Sequence, residues 1–479
     1  MSREAAVLIT LILYKIVLVA IGLLSQRRTK DGLDFFLAGR KLGPMVAALS
    51  ASASSSSGWT LLGVSGAAYA WGLSALWLFA ACLGGFALNW YLVAPALQRH
   101  SRQVNALTVT EVLAGPRQRP MHKVISAVAS LIVLISMGAY VAAQFLSAGK
   151  TFNETFGISL TSSILIGGGV VAFYTLLGGF WAVSLTDALQ GVLMAATALL
   201  LPIAALMQVG GPSGLMEGLA GMDAGYLSLT NNLPALAGLM LVLGYLGIGL
   251  GYPGQPHVVN RFMALREGKG SVKQARRIAM LWAVVVYAGM LLLGLCGRVL
   301  FSSLADQEVI FIRATAELFP PVVAGVMLAA VLSAVMSTAD SQLLVAASSV
   351  THDLKLGGST ARSLLSRSRL VVLLLSLGAL AGALLGSQEI FSSVLFAWTA
   401  MGAAFGPALV VTILHKPVPP GRTLLAMILG FSIAVAAYSF PQTQGGVVER
   451  LLPFLVGFAV ILWPSSSPGI SRQDAMTQS

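Results

Sequence analysis

Ala334-Val-Met-Ser337-Thr338-Ala-Asp340-Ser341-Gln342 lies in the middle of an apolar run from Val322 to Ser349. The run is apolar enough for a bilayer, yet its centre carries three hydroxyls and a carboxylate. On a helix Ala334, Ser337, Thr338 and Ser341 recur at i, i+3, i+4 and i+7 and share one face. A carboxylate at membrane depth costs at least about 2.5 kcal/mol, so by default it points to function. A hydroxyl face with an acid close by suits a small hard cation, which takes oxygen ligands.

The surrounding composition fits that reading. Of 479 residues, 57% are hydrophobic and 10% charged. A soluble globular chain carries about 25% charged residues, so this class is excluded. The two cysteines, Cys82 and Cys296, both fall in apolar segments and imply no disulfide framework or zinc site. The net charge of +12 would point to nucleic acid in a soluble protein; in a membrane protein it marks cytoplasmic loops.

The unit of organisation is therefore the apolar segment of about 20 residues. Thirteen such segments are expected, at 5–25, 43–69, 71–97, 124–149, 159–178, 186–208, 233–253, 278–302, 321–345, 369–386, 388–415, 423–440 and 451–464. No cleavable signal peptide is evident, because the first segment is too long and has Lys15 in its middle. Lys15 is read as snorkelling or as pairing with a neighbouring helix. Most basic residues fall in 26–42, 98–123, 254–277, 346–369 and the stretch after 415. These alternate loops define a cytoplasmic side, leaving the N-terminus outside and the C-terminus inside. The loop at 303–318, with Asp306, Glu308 and Glu317, falls outside. The whole of 1–479 is expected to be one polytopic transporter domain without an output domain, its tail 465–479 cytoplasmic.

Two segments make poor continuous helices. The second contains Ala51-Ser-Ala53-Ser-Ser55-Ser56-Ser57-Gly58-Trp59, whose serines compete for backbone hydrogen bonds. The seventh contains Gly247-Ile-Gly249-Leu-Gly251-Tyr252-Pro-Gly254-Gln-Pro256, where glycine and proline unwind a helix. Interrupted helices at matching positions of two halves point to a transporter site built on inverted repeats. The halves would be 43–208 and 233–415, with 1–42 and 423–464 peripheral. Taken singly, either stretch could serve close helix packing.

Five separated segments carry a resemblance: Asp34-Phe-Phe-Leu-Ala-Gly39-Arg40, Ser57-Gly58-Trp59, the run Tyr174 to Asp187, Gly251-Tyr252-Pro-Gly254-Gln255-Pro256-His257, and Met336 to Gln342. Together they resemble the sodium:solute symporter family, closest to its sodium/proline branch, over roughly 5–464. The resemblance implies an all-α integral membrane protein of about 13 transmembrane helices. Its architecture would be a LeuT-like five-plus-five inverted repeat with broken first and sixth core helices. Sodium would be the coupling ion. It would be held by carbonyls of Ala53, Ser56 and Ala334 and hydroxyls of Ser337 and Thr338. A second, cytoplasmic-side cation site would match Asp187, Asp340 and Ser341; alternatively, Asp187 caps the helix that begins at 186. Substrate positions match Ser57, Gly58, Trp59, Tyr140, Ile248, Tyr252, Gln255 and Pro256. Unwound amides and a helix N-terminus suit a carboxylate. Three positions depart from the proline branch: Ser55 stands where aspartate is usual, Ile248 where tryptophan is usual, and Asp340 where a neutral residue is usual.

The expected function is sodium-coupled import of a small organic solute by alternating access, with proline or a related amino acid first. An organic acid such as pantothenate is the alternative. A transporter-like membrane sensor is disfavoured by the missing output domain. An enzyme is disfavoured because His100, His122, His257, His352 and His415 form no close ligand pair. The partners implied are the solute and the lipid bilayer, with no nucleic acid and no obligate protein partner.

Overall fold

A computed structural model describes residues 2–26, 32–176, 180–356, 361–414 and 418–464. The expected tail at 465–479 and the basic residues Arg27, Arg28, Lys30 and Lys416, together with His415, lie outside the described residues. Among the described residues the chain is a bundle of helices, and its extended pairing is a single bridge between Leu42 and Leu265.

Each of the thirteen expected segments falls on helix. Ten helical runs among the described residues are long and apolar enough to cross a membrane. The difference from thirteen has local causes. The helix from Pro44 stops at Ser55, and a single run, Trp59–Gln103, then contains the rest of the second segment and all of the third. Leu160–Thr175 and Leu452–Leu462 are helices of 16 and 11 residues, below the usual spanning length.

Both expected breaks are present. The first broken helix runs Pro44–Ser55, leaves helical geometry at Ser56 (φ −118°, ψ 88°), and resumes at Trp59. The second runs Ala235–Leu250, turns through Tyr252–Gly254, and resumes as Pro256–Ala264. Pro256 opens that last piece, where its missing N–H costs no helical bond. A Cβ at Gly254 would stand 2.4 Å from the Gly402 carbonyl, so only glycine lets this turn touch the helix Ile390–Ile413.

At the end of the bundle rich in lysine and arginine, the two broken helices are tied by backbone. Leu42 N–H donates to Ala264 O at 3.1 Å, and Arg266 N–H donates to Leu42 O at 2.9 Å. Gln98 and Arg102 donate to Leu265 O at 2.9 and 2.7 Å. The helix Pro321–Ser348 is buried almost along its whole length, whereas Arg3–Gln26 is largely exposed. The hydroxyl helix is thus central and the first helix peripheral. Lys15 on that first helix is half-buried, with its ammonium against Met336 Sδ of the central helix.

Candidate functional site

The first break meets the hydroxyl face. Ser337 Oγ donates to Ala53 O and Ala334 O, each at 3.2 Å, and Thr338 Oγ1 donates to Ser54 O at 3.2 Å. Ser56 joins through its N–H, which donates to Ala53 O at 3.2 Å. The helix therefore ends where its last carbonyls can face hydroxyls on a second helix. Ser52 Oγ and Ser54 Oγ beside them are buried without hydrogen-bond partners among the described residues. This all-oxygen, wholly buried donor set fits a hard monovalent cation. Ser54 O is a contact that sequence reasoning did not single out; the end of a helix offers several free carbonyls, and spacing alone does not choose among them.

At the first break Ser57, Gly58, Trp59 and Tyr140 come together, and Tyr252 reaches Ser56 through Tyr287. Tyr140 Oη donates to Ser57 Oγ at 3.4 Å, and Trp59 N–H donates to the same Ser57 Oγ at 3.1 Å. Gly58 N–H donates to Gln144 Oε1 at 3.0 Å. Tyr252 and Tyr287 share a hydroxyl hydrogen bond of 3.0 Å, and Tyr287 reaches Ser56 Oγ at 3.3 Å, so the hydroxyls bridge the two breaks. Gln255 faces away: its Nε2 donates to Gly251 O at 3.1 Å and Trp398 O at 2.9 Å. It locks the turn rather than offering a free amide. Ile248 is buried and lends its carbonyl to Trp398 Nε1 at 3.0 Å.

Trp398 was not foreseen. Its ring meets Tyr252 edge-on at 4.7 Å between centroids, with Phe86 on Tyr252 at 5.3 Å. An indole thus reaches the unwound segment from another helix, beside Ile248. Gln144, Tyr287 and Phe391 were also missed. They lie on unbroken helices, where one polar or aromatic residue among apolar neighbours gives no signal of direction. Phe391 meets Trp59 at 5.5 Å. Buried His257 lies 6.1 Å from Tyr140, ring edge to face.

Nearer the basic end, Asp187 and Asp340 occupy one buried cluster with a component missing from the expectation. Arg261 Nη2 lies 2.9 Å from Asp187 Oδ2 and 2.5 Å from Ser341 Oγ, and its Nε donates to Ser50 Oγ at 3.0 Å. Ser50 Oγ in turn donates to Asp187 Oδ2 at 2.8 Å. Asp340 accepts through Oδ1 from Thr175 Oγ1, while its Oδ2 and Asp187 Oδ1 are buried without a hydrogen-bond partner among the described residues. The capping alternative for Asp187 does not hold. Its helix begins at Phe180, so Asp187 lies two turns inside and its carboxylate turns to Arg261. Arginine at 261 was legible as one of several basic residues in 254–277. Its burial comes from the Pro256–Ala264 helix folding back into the core.

At the opposite end, Lys150 Nζ lies 2.6 Å from Asp306 Oδ2 and 2.7 Å from Glu308 Oε2. Glu308 also accepts the N–H groups of Ile390 and Phe391 at 2.9 and 2.7 Å. That carboxylate caps the helix carrying Trp398, joining it to the long helix His122–Phe156.

Two helices broken at mid-length, joined by hydroxyls and backed by an oxygen-lined helix, define a secondary membrane transporter with a central ion and solute site. The chain belongs to the sodium:solute symporter family, whose profile matches residues 35–430. It is 37% identical over 456 residues to the osmoregulated proline transporter OpuE of Bacillus subtilis, covering 93% of this chain and 92% of that one. It is 34% identical over 470 residues to the sodium/proline symporter of Escherichia coli, covering 95% and 92%. Among solved structures, a Na+-coupled sialic acid symporter aligns with TM-score 0.77 at 18% identity, over 96% of this chain and 97% of that one. MhsT in complex with L-phenylalanine aligns with TM-score 0.55 at 14% identity, over 87% and 98%. These two likenesses give the fold, the LeuT-like bundle. The protein is a sodium-coupled symporter of a small organic solute, and sodium is its coupling ion.

Proposed function

We propose that the chain imports L-proline with sodium across the cell membrane. The observation that supports this reading is the hydroxyl bridge from Tyr252 through Tyr287 to Ser56, which links aromatic rings and unwound backbone at the two breaks. A ring-shaped amino acid matches both parts, its apolar ring packing on Tyr140, Tyr252 and Trp398 and its carboxylate taking unwound N–H groups. Proline is the solute named for relatives above 30% identity across most of their length. The basic end faces the cytoplasm, with the N-terminus outside and the C-terminus inside.

The main sodium is held by carbonyls of Ala53, Ser54, Ser56 and Ala334 and by the Ser337 and Thr338 hydroxyls. Its binding would draw the first broken helix onto the central helix and so prepare the solute site. The halves 43–208 and 233–415 act as the two inverted repeats. A second cation shares Asp187, Asp340 and Ser341 when the Arg261 guanidinium withdraws, so the buried ion pair works as an inner latch. A double-mutant cycle of Asp187→Asn and Asp340→Asn on sodium affinity tests the shared ion; simple additivity would remove it.

The deciding experiment is uptake into proteoliposomes with an inward sodium gradient. Proline should accumulate with sodium and not with a pH gradient alone. A panel that includes pantothenate runs in parallel; accumulation of pantothenate without proline overturns the solute assignment.

A further inference from the structure

The end of the bundle opposite the basic loops holds a charge for which the ion and solute sites have no use. Arg450 ends the four-residue helix Val447–Arg450 and is 5% exposed. Its Nε and Nη1 atoms are buried and have no hydrogen-bond partner among the described residues. The neighbouring Glu449 carboxylate instead accepts the Gly445 N–H at 2.5 Å. A buried guanidinium with unpaired donors is costly, and an anion placed on it removes much of that cost.

The surroundings say what kind of anion. The guanidinium carbon lies 5.7 Å from the Tyr245 ring centroid and 5.9 Å from that of Phe391. Trp71 stacks on Tyr245 at 5.4 Å and meets Phe391 edge-on at 5.0 Å. Phe391 then meets Trp59, the first residue after the break in the first helix. Trp71 and Tyr245 belong to the outer halves of the two broken helices. The Arg450 segment lies directly on the second of these, since a Cβ at Gly247 would stand 2.5 Å from the Arg450 carbonyl oxygen. The Arg450 guanidinium, with the buried Glu449 carboxylate close by, is therefore set in an aromatic box whose rings lead step by step to the central site. Such a box fits a small carboxylate with a compact apolar body: the guanidinium takes the carboxylate and the rings take the body.

We infer that Arg450, with Trp71, Tyr245 and Phe391, forms an outer capture site that binds the carboxylate of the incoming amino acid before it reaches Ser57–Trp59. This rests on the proposed import of a carboxylate solute and on the basic end being cytoplasmic. The box changes shape when the outer halves move, because two of its walls, Trp71 and Tyr245, stand on elements that must separate to admit solute.

The test compares the full-length protein with Arg450→Gln and Arg450→Lys in proteoliposomes, using L-proline as substrate and prolinamide, which lacks the carboxylate, as competitor. Arg450→Gln should raise the KM for proline at least fivefold, and Arg450→Lys should raise it less. The half-saturating sodium concentration, the thermal unfolding midpoint and the inhibition constant of prolinamide should stay at wild-type values. An unchanged KM, or an equal weakening of proline and prolinamide, overturns the capture site. If Arg450→Gln loses its thermal transition, Arg450→Lys carries the comparison by the same criteria. The solute assignment fails separately: wild-type vesicles that take up no proline overturn it, and the same variants are then read with whichever carboxylate solute the uptake panel identifies. A solute without a carboxylate overturns both.

Discussion

Arg261 and Asp187 form an ion pair of 2.9 Å in which neither side chain is more than 1% exposed. The two residues stand on different sides of the mechanism, Arg261 on the second broken helix and Asp187 on the helix Phe180–Gln208. Ser50 and Ser341 bind the same guanidinium from the first broken helix and the central helix. One side chain therefore fastens four helices near the basic end. A buried pair of this kind is weak evidence for net stability, but breaking it by removing one partner leaves a bare charge.

Arg261→Gln should accordingly destabilise the protein by about 3–5 kcal/mol. Adding Asp187→Asn to it should restore part of that loss, because no charge is then stranded. Thermal unfolding midpoints of the two single variants and the double variant in detergent decide the matter. Two independent, additive losses would mean that the pair is not an energetic unit.

The proposed sodium ligands give a second expectation. Ser337 and Thr338 lie 3.2 Å from carbonyls at the end of the first broken helix. Replacing both by alanine removes two of the oxygen donors without altering backbone shape. The sodium concentration for half-maximal uptake should rise at least several-fold, with expression retained. Uptake that keeps its wild-type sodium dependence would place the ion elsewhere.

Much of this arrangement could be read from residue order. Serine and glycine runs at 52–58 and 247–254 declared the breaks, because those residues weaken a helix wherever it lies. The hydroxyl face at Ser337 and Thr338 followed from helical spacing, since a regular helix fixes which side chains share a side. Arg261, Trp398 and Tyr287 could not be read in the same way. Trp398 and Tyr287 sit singly on continuous helices and Arg261 on the short piece after the second break, and the role of each comes from the helix packed opposite, which no local pattern encodes. Ile248 shows the limit of arguing from one position: an indole, that of Trp398, reaches its carbonyl from 150 positions further along the chain.

A pH effect is expected at the loop that follows the Trp59–Gln103 run. Thr108 caps the short helix Val109–Ala114 by accepting the Glu111 N–H at 3.1 Å, and Glu111 reaches back to the Leu107 N–H at 2.8 Å. Glu111 Oε1 also lies 3.0 Å from His352 Nε2, beyond the end of the central helix. Burial alone would raise the Glu111 pKa, but the hydrogen bonds from His352 and Leu107 outweigh it and hold the carboxyl below its ordinary value of 4.5. A depressed carboxyl stabilises the fold above its ordinary pKa, and that contribution is lost as pH falls through the folded value. The thermal midpoint of the wild type should therefore drop more steeply below about pH 4.5 than that of Glu111→Gln. Parallel curves for the two proteins would show that this carboxylate is not linked to folding.

The turn of the second broken helix separates solute binding from helix closure. Tyr252 is wholly buried, edge-on to Trp398, and its hydroxyl meets Tyr287. Tyr252→Phe removes the hydroxyl bridge between the two breaks and keeps the ring packing, so it should weaken solute affinity several-fold with little loss of thermal stability. Gly254→Ala acts differently. Its added methyl would stand 2.4 Å from the Gly402 carbonyl oxygen, on backbone that cannot swing aside as a side chain can. The turn must then move off the helix that carries Trp398, so Gly254→Ala should slow maximal uptake and lower the thermal midpoint together. Both variants are compared by uptake kinetics at saturating sodium and by thermal unfolding. A Tyr252→Phe protein with unchanged KM would mean that the solute does not sense the bridged hydroxyls. A Gly254→Ala protein with wild-type rate and midpoint would mean that contact with Gly402 is not kept during the transport cycle.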